Sequence, residues 1–325
     1  MYTRDLLPSF AGVNTFARAP VGTIESLAPG AVAIAGIAHD GTSSSRQGVR
    51  QGPRGIREAS VDFVYDLYAS SRKALVHVET GRILRPPGDP QLIDLGDLPI
   101  APMDLARTRE GCQRAAAAIV RQGAFPVMLG GDHYVTYPFA RGVGEAVGGH
   151  LGLIQLSTQL DLADRDSVWG RDWHGATIRR LIESSGVEPR NVVFLGTHGY
   201  VTYPEWEFAQ SRGMTMITAD AVRAAGARAT VQRALAVANA GCDGVYVSLD
   251  VDVVDSGYAS GTGDVLVGGL TPAEVLALMR ELSTSRSIVA LDAVEVAPGL
   301  DQRGRSERLA AEAIIELVAP RVFAG

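Results

Sequence analysis

Two short segments of this sequence each place acid and histidine at the end of an apolar run: Gly130-Gly131-Asp132-His133, and Ser248-Leu249-Asp250-Val251-Asp252 with Asp255 just beyond. Carboxylates and imidazole converging from separate loops suit Mn²⁺, Zn²⁺, Ni²⁺ or Fe²⁺. Asp250 and Asp252 both aim into one site only where the strand is already breaking into loop. A lone D-x-D is more often solvated surface or a capping pair, and Asp132-His133 alone is no stronger. Together they read as halves of a dinuclear metal site. A third segment, Ser157-Thr158-Gln159-Leu160-Asp161, also follows an apolar run but carries a single carboxylate.

These residues need a frame that gathers them. Near-continuous apolar runs recur at 31–36, 125–130, 151–156, 191–196, 244–249 and 287–291, the pattern of strands buried on both faces of a parallel sheet. Between them lie helical stretches at Leu105–Gln122, Ala219–Ala240 (in one piece or two) and Thr271–Leu282, the last with Thr271 as N-cap and Pro272 at the first helical position. Strands alternating with helices predict an α/β fold with a mainly parallel, doubly wound sheet. In such sheets ligands bind beyond the carboxyl ends of the strands, and each acid or histidine cluster falls directly after a strand run. With no internal repeat, low-complexity tract or linker, residues 1–325 read as a single domain.

Composition narrows the function classes. Of 325 residues, 46% are hydrophobic and 20% charged, as in an ordinary globular protein. Met1 to Phe10 holds Arg4 and Asp5 without an apolar core, and no run approaches 18 apolar residues, so neither export nor a membrane partner is expected and the cytoplasm is the expected compartment. A net charge of −6 with scattered arginines excludes a basic stripe for nucleic acid and favours cationic ligands. Cys112 and Cys242 are too few for a disulfide framework and read as small buried hydrophobes.

The pattern becomes specific when further elements are added in order. Gly36-Ile37-Ala38-His39-Asp40-Gly41-Thr42 and the stretch 46–57 precede Asp94-Leu95-Gly96-Asp97. His174-Gly175 lies between the third cluster and the S-x-D-x-D-x-x-D element, Ser260-Gly261-Thr262-Gly263 and Gly268-Gly269-Leu270-Thr271 trail that element, and Asp292-Ala293-Val294-Glu295-Val296-Ala297-Pro298 closes the series. With the first two clusters, this series resembles the ureohydrolase family of arginases and agmatinases, agmatinase-like members above all, over most of the chain. The resemblance implies a three-layer α/β/α fold and hydrolysis of a C–N bond in a guanidino compound by water held between two Mn²⁺ ions.

Carried over one residue at a time, His133 and Asp161 match ligands of the first ion, Asp250 the carboxylate shared between ions, and Asp252 a ligand of the second. The bridging Asp of the family falls on Ser157 and its second ligand His on Gln159. What remains is one His and two carboxylates for a single ion, Mn²⁺ or alternatively Ni²⁺, Fe²⁺ or Zn²⁺, and a weak second set; the other possibility is no metal. His174 matches the residue beside the substrate and is expected to be both catalytic and substrate-binding, with Asp161 and Asp250 as its catalytic partners. Glu295 matches the acid that holds the guanidinium group. An acid after a buried strand needs a partner or a cationic ligand in any case.

Ala163 stands where arginases carry Asn, so the expected substrate is an agmatine-like guanidino or amine cation rather than arginine. The alternative is a metal-poor relative that binds a guanidino ligand without hydrolysing it, as a regulatory subunit or with altered chemistry. His198 reads as a rim residue or a replacement proton shuttle. His39, His77 and His150 read as structural, and Tyr200, Tyr203 and Trp206 as an oligomer contact rather than a pocket wall. The family likeness implies a homo-oligomer, trimer or hexamer.

Overall fold

The protein is described from a computed structural model covering residues 11–68, 74–85, 92–184 and 186–323. Its strands, in chain order, are β1 (Val32–Gly36), β2 (Leu75–Val76), β3 (Ile83–Leu84), β4 (Leu92–Asp97), β5 (Phe125–Leu129), β6 (Leu151–Leu156), β7 (Val192–Leu195), β8 (Thr215–Ile217), β9 (Gly244–Asp250) and β10 (Ile288–Val294). All but β2 and β3 join one sheet in the order β4-β1-β5-β10-β9-β6-β7-β8. Every neighbouring pair in it is parallel. The six expected strands are all present, Asp94-Leu95-Gly96-Asp97 forms the end of edge strand β4 as the family likeness implies, and the additional edge strand β8 is only three residues long, too short for an apolar run to mark it.

Helices α1 (Gly52–Tyr68), α2 (Leu105–Arg121), α3 (Thr136–Val147), α4 (Thr177–Ser184), α5 (Tyr203–Ser211), α6 (Ala219–Ala238), α7 (Pro272–Leu282) and α8 (Arg305–Val322) complete the chain. Strand residues alternate between two apolar cores. Val127, Leu129, Val245, Val247 and Leu249 pack with α6, α7 and α8, while Met128, Tyr246, Leu153 and Phe194 pack with α2, α3 and α4. Side chains of successive strand residues point to opposite faces, so this division makes the sheet the middle of three layers. Burial on both faces explains why the runs were apolar throughout rather than alternating. Helix α6 is broken at Gly226 (φ 75°, ψ 164°), which resolves the reading of one piece or two in favour of two. Thr271 caps α7 through the Glu274 amide, with Glu274 returning the bond to the Thr271 amide. Cys112 is buried as expected; Cys242 is not, lying half-exposed in the turn after α6. Among the described residues no helix is long and apolar enough to cross a membrane.

The Asp94-Leu95-Gly96-Asp97 segment is structural. Arg57 of α1 donates from Nε to Asp94 Oδ2 at 2.9 Å and from Nη2 to Asp94 Oδ1 at 3.0 Å, and its remaining terminal nitrogen reaches Asp97. Asp94 also accepts the Phe16 amide. Removing one partner of a buried ion pair strands the other charge. Arg57→Ala is therefore expected to lower unfolding free energy by about 3–5 kcal/mol in urea denaturation, with Asp94→Ala matching it and the double variant costing less than the sum.

Candidate active site

Four adjacent strands, β5, β10, β9 and β6, end at one edge of the sheet, and their following loops deliver the acid and histidine clusters to one place. Gly131 makes this convergence possible: a Cβ there would lie 1.7 Å from the His39 carbonyl oxygen, which accepts the Asp132 amide at 2.8 Å. The loop after β1 straps the site from above. Thr42 donates to Asp132 Oδ2 from its amide (2.9 Å) and its hydroxyl (2.6 Å), and the Thr42 carbonyl accepts the His174 amide.

His133 is fully buried, with Nδ1 at 3.0 Å from Asp161 Oδ2 and 3.1 Å from Asp250 Oδ2. Neither oxygen meets Nδ1 with hydrogen-bond geometry, so it is a buried polar atom without a hydrogen-bond partner. The other ring nitrogen has one. The Ser248 hydroxyl donates to Asp292 Oδ1 at 2.6 Å and therefore accepts from His133 Nε2 at 3.0 Å. Asp292 is pinned in turn by Tyr246 Oη (2.7 Å) and Thr136 Oγ1 (2.8 Å). A proton held on Nε2 leaves Nδ1 to face the two carboxylates, the arrangement by which an outer hydrogen bond orients a ligating imidazole.

The carboxylates crowd one another. Burial raises Asp250 to about 6 despite the adjacent His133 ring, and burial next to Asp250 pushes Asp252 well above the carboxylate range. For His133, burial opposes the charged ring, but Asp161 and Asp250 outweigh it and raise its pKa well above the ordinary value. Backbone strain marks the same residues: Asp161 and Glu295 adopt φ of 51° and 61°, left-handed values that cost non-glycine residues free energy. Asp161 is held there by the Ile178 and Arg179 amides on its carbonyl and by Gln155 Nε2 on its Oδ2 at 2.9 Å.

Ser157 and Gln159, expected as substituted ligand positions, lie beside Asp252 and in the pocket lining respectively. Ser157 Oγ accepts the Gln159 amide in a serine turn and donates to Asp252 Oδ1 at 3.1 Å, an oxygen that also accepts the Thr158 amide at 2.9 Å. Asp252 Oδ1 thus has its hydrogen-bonding capacity satisfied by protein donors. Gln159 lines the pocket with an uncharged amide. Among the described residues no group of three or more His, Cys, Asp or Glu side chains is placed so as to hold a metal ion as it stands. The trio of His133, Asp161 and Asp250, with its open Nδ1, has the donor chemistry for one borderline divalent ion, whereas the Asp252 side does not fit a second.

His174 stands beside this trio, with Nδ1 donating to Glu295 Oε1 at 2.9 Å and Nε2 facing Ser44 Oγ (2.7 Å) and the Ser44 amide (3.1 Å). Burial lowers its pKa, but the Glu295 hydrogen bond and charge, with Asp161 and Asp132 further off, raise it to about 9. The Ser44 amide works against that rise, because an N–H directed at Nε2 needs a lone pair there; Ser44 Oγ, able to donate or accept, accommodates both states. Gly175 follows because the Trp173 ring packs over it, 2.4 Å from where a Cβ would stand. Glu295 has the partners its burial required: His174 and the His133 amide, which donates to Oε1 at 2.7 Å.

A cavity of about 220 Å³ opens onto these groups, lined by His133, Asp161, His174, Asp250, Asp252 and Glu295 and also by Ser44, Gln159, Trp173, Glu205 and Asp264. All the sequence-predicted site residues but Ser157 line it. Ser157 reaches it only through Asp252. His198 lies outside the lining, its ring against Thr158 Oγ1 and the Gly196 carbonyl, which favours the rim reading over the shuttle. Asp255 caps the Gly257 and Gly268 amides. His77 pairs with Glu79 and Glu316 far from the site, and Tyr200, Tyr203 and Trp206 lie on the surface.

The Ser248–Asp292 relay was not legible in the sequence, although both residues stand inside the 248–255 and 292–298 segments. Nor were Ser44, Glu205 and Asp264, which no spacing marked.

The chain is similar to known proteins over most of its length. A family model described as the arginase family matches residues 30–319. The chain is 34% identical over 316 residues to a guanidinopropionase of Pseudomonas aeruginosa, covering 96% of this chain and 92% of that protein. It is 32% identical over 317 residues to a proclavaminate amidinohydrolase of Streptomyces clavuligerus, covering 96% and 94%. A solved structure of a proclavaminate amidinohydrolase from that organism superposes with a TM-score of 0.79 at 30% identity, over 96% of this chain and 98% of the other. The crystal structure of a hypothetical agmatinase from Burkholderia thailandensis gives 0.81 at 27% identity, over 97% and 92%.

Proposed function

This chain belongs to the arginase family, and on that premise we propose that it is an amidinohydrolase that cleaves a C–N bond of a guanidino compound at a reduced, mononuclear metal centre. The observation that carries this reading is the buried Nδ1 of His133, free of hydrogen bonds and facing Asp161 and Asp250, beside the His174–Glu295 pair. His133, Asp161 and Asp250 would hold one Mn²⁺, Ni²⁺, Fe²⁺ or Zn²⁺. Bound there, such an ion lowers the pKa of water and supplies a nucleophile near neutral pH.

The chain's own groups do the rest. Glu295 uses Oε1 for His133 and His174, and its Oε2 is left to accept guanidinium N–H. His174, charged through Glu295, gives a proton to the departing amine from Nε2, with Ser44 Oγ holding that proton beforehand. Trp173 and the loop after β1 wall the pocket from bulk water. The reading takes residues 1–325 as one domain, acting in the cytoplasm as a homo-oligomer, trimer or hexamer, without nucleic-acid or membrane partners.

A second reading draws on the hydrogen bonds that satisfy Asp252 and on the finding that, among the described residues, no group of three or more His, Cys, Asp or Glu side chains is placed to hold a metal ion as it stands. In it the protein binds a guanidino ligand without hydrolysing it. Metal analysis of protein loaded with Mn²⁺ or Ni²⁺ and then desalted, followed by a urea-release assay, separates the two. The first reading expects about one equivalent and turnover; under a tenth of an equivalent with no urea would leave the second.

A further inference from the structure

The pocket carries more charge than the proposed reaction uses. Its lining includes six acids, Asp161, Glu205, Asp250, Asp252, Asp264 and Glu295, and no lysine or arginine. Five of them have protein partners. Glu205 accepts the Leu162 amide at 2.9 Å and the Thr202 hydroxyl at 2.6 Å, so it fixes the loop that carries Asp161. Asp264, in the loop that trails the metal segment, differs: among the described residues no hydrogen-bond or ion-pair partner meets it. Two cations act on it from nearby, and both are engaged elsewhere: His174 is paired with Glu295, and Arg46 holds the Thr262 and Gly263 carbonyls, at 3.2 Å each, and so braces the Asp264 loop rather than pairing with the carboxylate.

A half-buried carboxylate in a confined pocket, facing other acids and unpaired, is short of a positive charge. The space is about right for a short chain, because a 220 Å³ cavity takes a few methylenes beyond a guanidinium group. We propose that Asp264 is a specificity-determining residue that anchors a second positive charge at the far end of the substrate, so that the preferred substrate is a guanidino amine and a guanidino acid is excluded. This rests on the amidinohydrolase reading for the guanidino end and goes beyond it for the other. It also sets this chain apart from the guanidinopropionase to which it is 34% identical, whose name denotes a substrate ending in a carboxylate. Like charge across a partly desolvated pocket is an efficient means of rejecting that end.

The test uses three probes that share a guanidino group and differ at the far end: agmatine (amine), butylguanidine (uncharged) and 3-guanidinopropionate (acid). Binding is followed by calorimetry and turnover by urea release, on wild-type protein, Asp264→Asn and Asp264→Lys. Wild type is expected to bind agmatine about tenfold more tightly than butylguanidine and 3-guanidinopropionate most weakly. Asp264→Asn should raise Kd and KM for agmatine about tenfold, with kcat and the butylguanidine values within about twofold, and Asp264→Lys should reverse the order of agmatine and 3-guanidinopropionate.

Equal loss for butylguanidine and agmatine would mean a structural role and overturn the proposal, as would wild-type protein preferring the acid. Charge-ordered binding without urea would leave the Asp264 anchor standing and sink hydrolysis. Binding of none of the three would sink both.

Discussion

His174→Ala is expected to lower kcat for urea release by about 10²–10⁴-fold, the range for losing a positioned proton donor, while Kd for the guanidino ligand changes far less because Glu295 remains. The geometry behind this is the Glu295–His174–Ser44 line, with 2.9 Å on one side of the ring and 2.7 Å on the other. The sign of the pH dependence follows from the same contacts. Glu295 raises the folded pKa of His174 to about 9, so the charged ring is present at neutral pH and is lost as pH rises through about 9, or somewhat earlier because of the Ser44 amide. Turnover should therefore fall on the alkaline side. The stability from the His174–Glu295 pair should be complete below about pH 6.5 and vanish over the same window. In Glu295→Gln, the alkaline limb should move toward lower pH by a unit or more, because the charge that raises the imidazole is gone. A kcat loss in His174→Ala below tenfold, or an unmoved limb in Glu295→Gln, would remove His174 from the proton-transfer role.

Ser157→Asp combined with Gln159→His is expected to convert the site from one bound ion to two. In wild type, Ser157 Oγ and the Thr158 amide both donate to Asp252 Oδ1 and satisfy it without a cation. The double variant replaces a donor by a carboxylate that repels Asp252 and adds an imidazole beside it, so the metal-free protein should be less stable than wild type and far more responsive to Mn²⁺. At a free ion concentration 100-fold above Kd, linkage stabilises the folded state by about 2.7 kcal/mol. Metal content after desalting should rise from about one equivalent to about two, and urea release should increase with it. Ser157→Asp alone should show the destabilisation with weaker binding, since it brings charge without the second donor. A well-folded double variant that still binds one equivalent or none would mean that Ser157 and Gln159 are not the positions that deny the second ion.

Both results turn on features legible to different degrees in the sequence. Apolar runs buried on two faces implied parallel strands, parallel strands implied one functional edge, and the acid and histidine clusters each sat at that edge. Val127, Met128 and Leu129 facing alternate cores are the physical content of that inference. The edge strand β8 was not visible, because three residues paired on one side only do not demand an apolar run, whereas the end of β4 was marked by Asp94-Leu95-Gly96-Asp97.

At the site, residue identity and order along the chain determined which groups arrive: His133 from β5, Asp161 from β6, Asp250 and Asp252 from β9, Glu295 from β10. Only the tertiary structure decided what each does on arrival. The proton of His133 is set by Ser248 and Asp292, which lie on different strands and meet only because β9 and β10 are neighbours. Ser157 turns to Asp252, so a replacement that composition shows merely as a lost charge becomes a hydrogen bond in its place. Asp264 and Glu205 look alike on paper, yet one is spent on a loop amide and a threonine while the other is left open to the pocket. Such differences depend on angles and distances of a few tenths of an ångström between residues far apart in the chain, and spacing along a sequence carries no record of them.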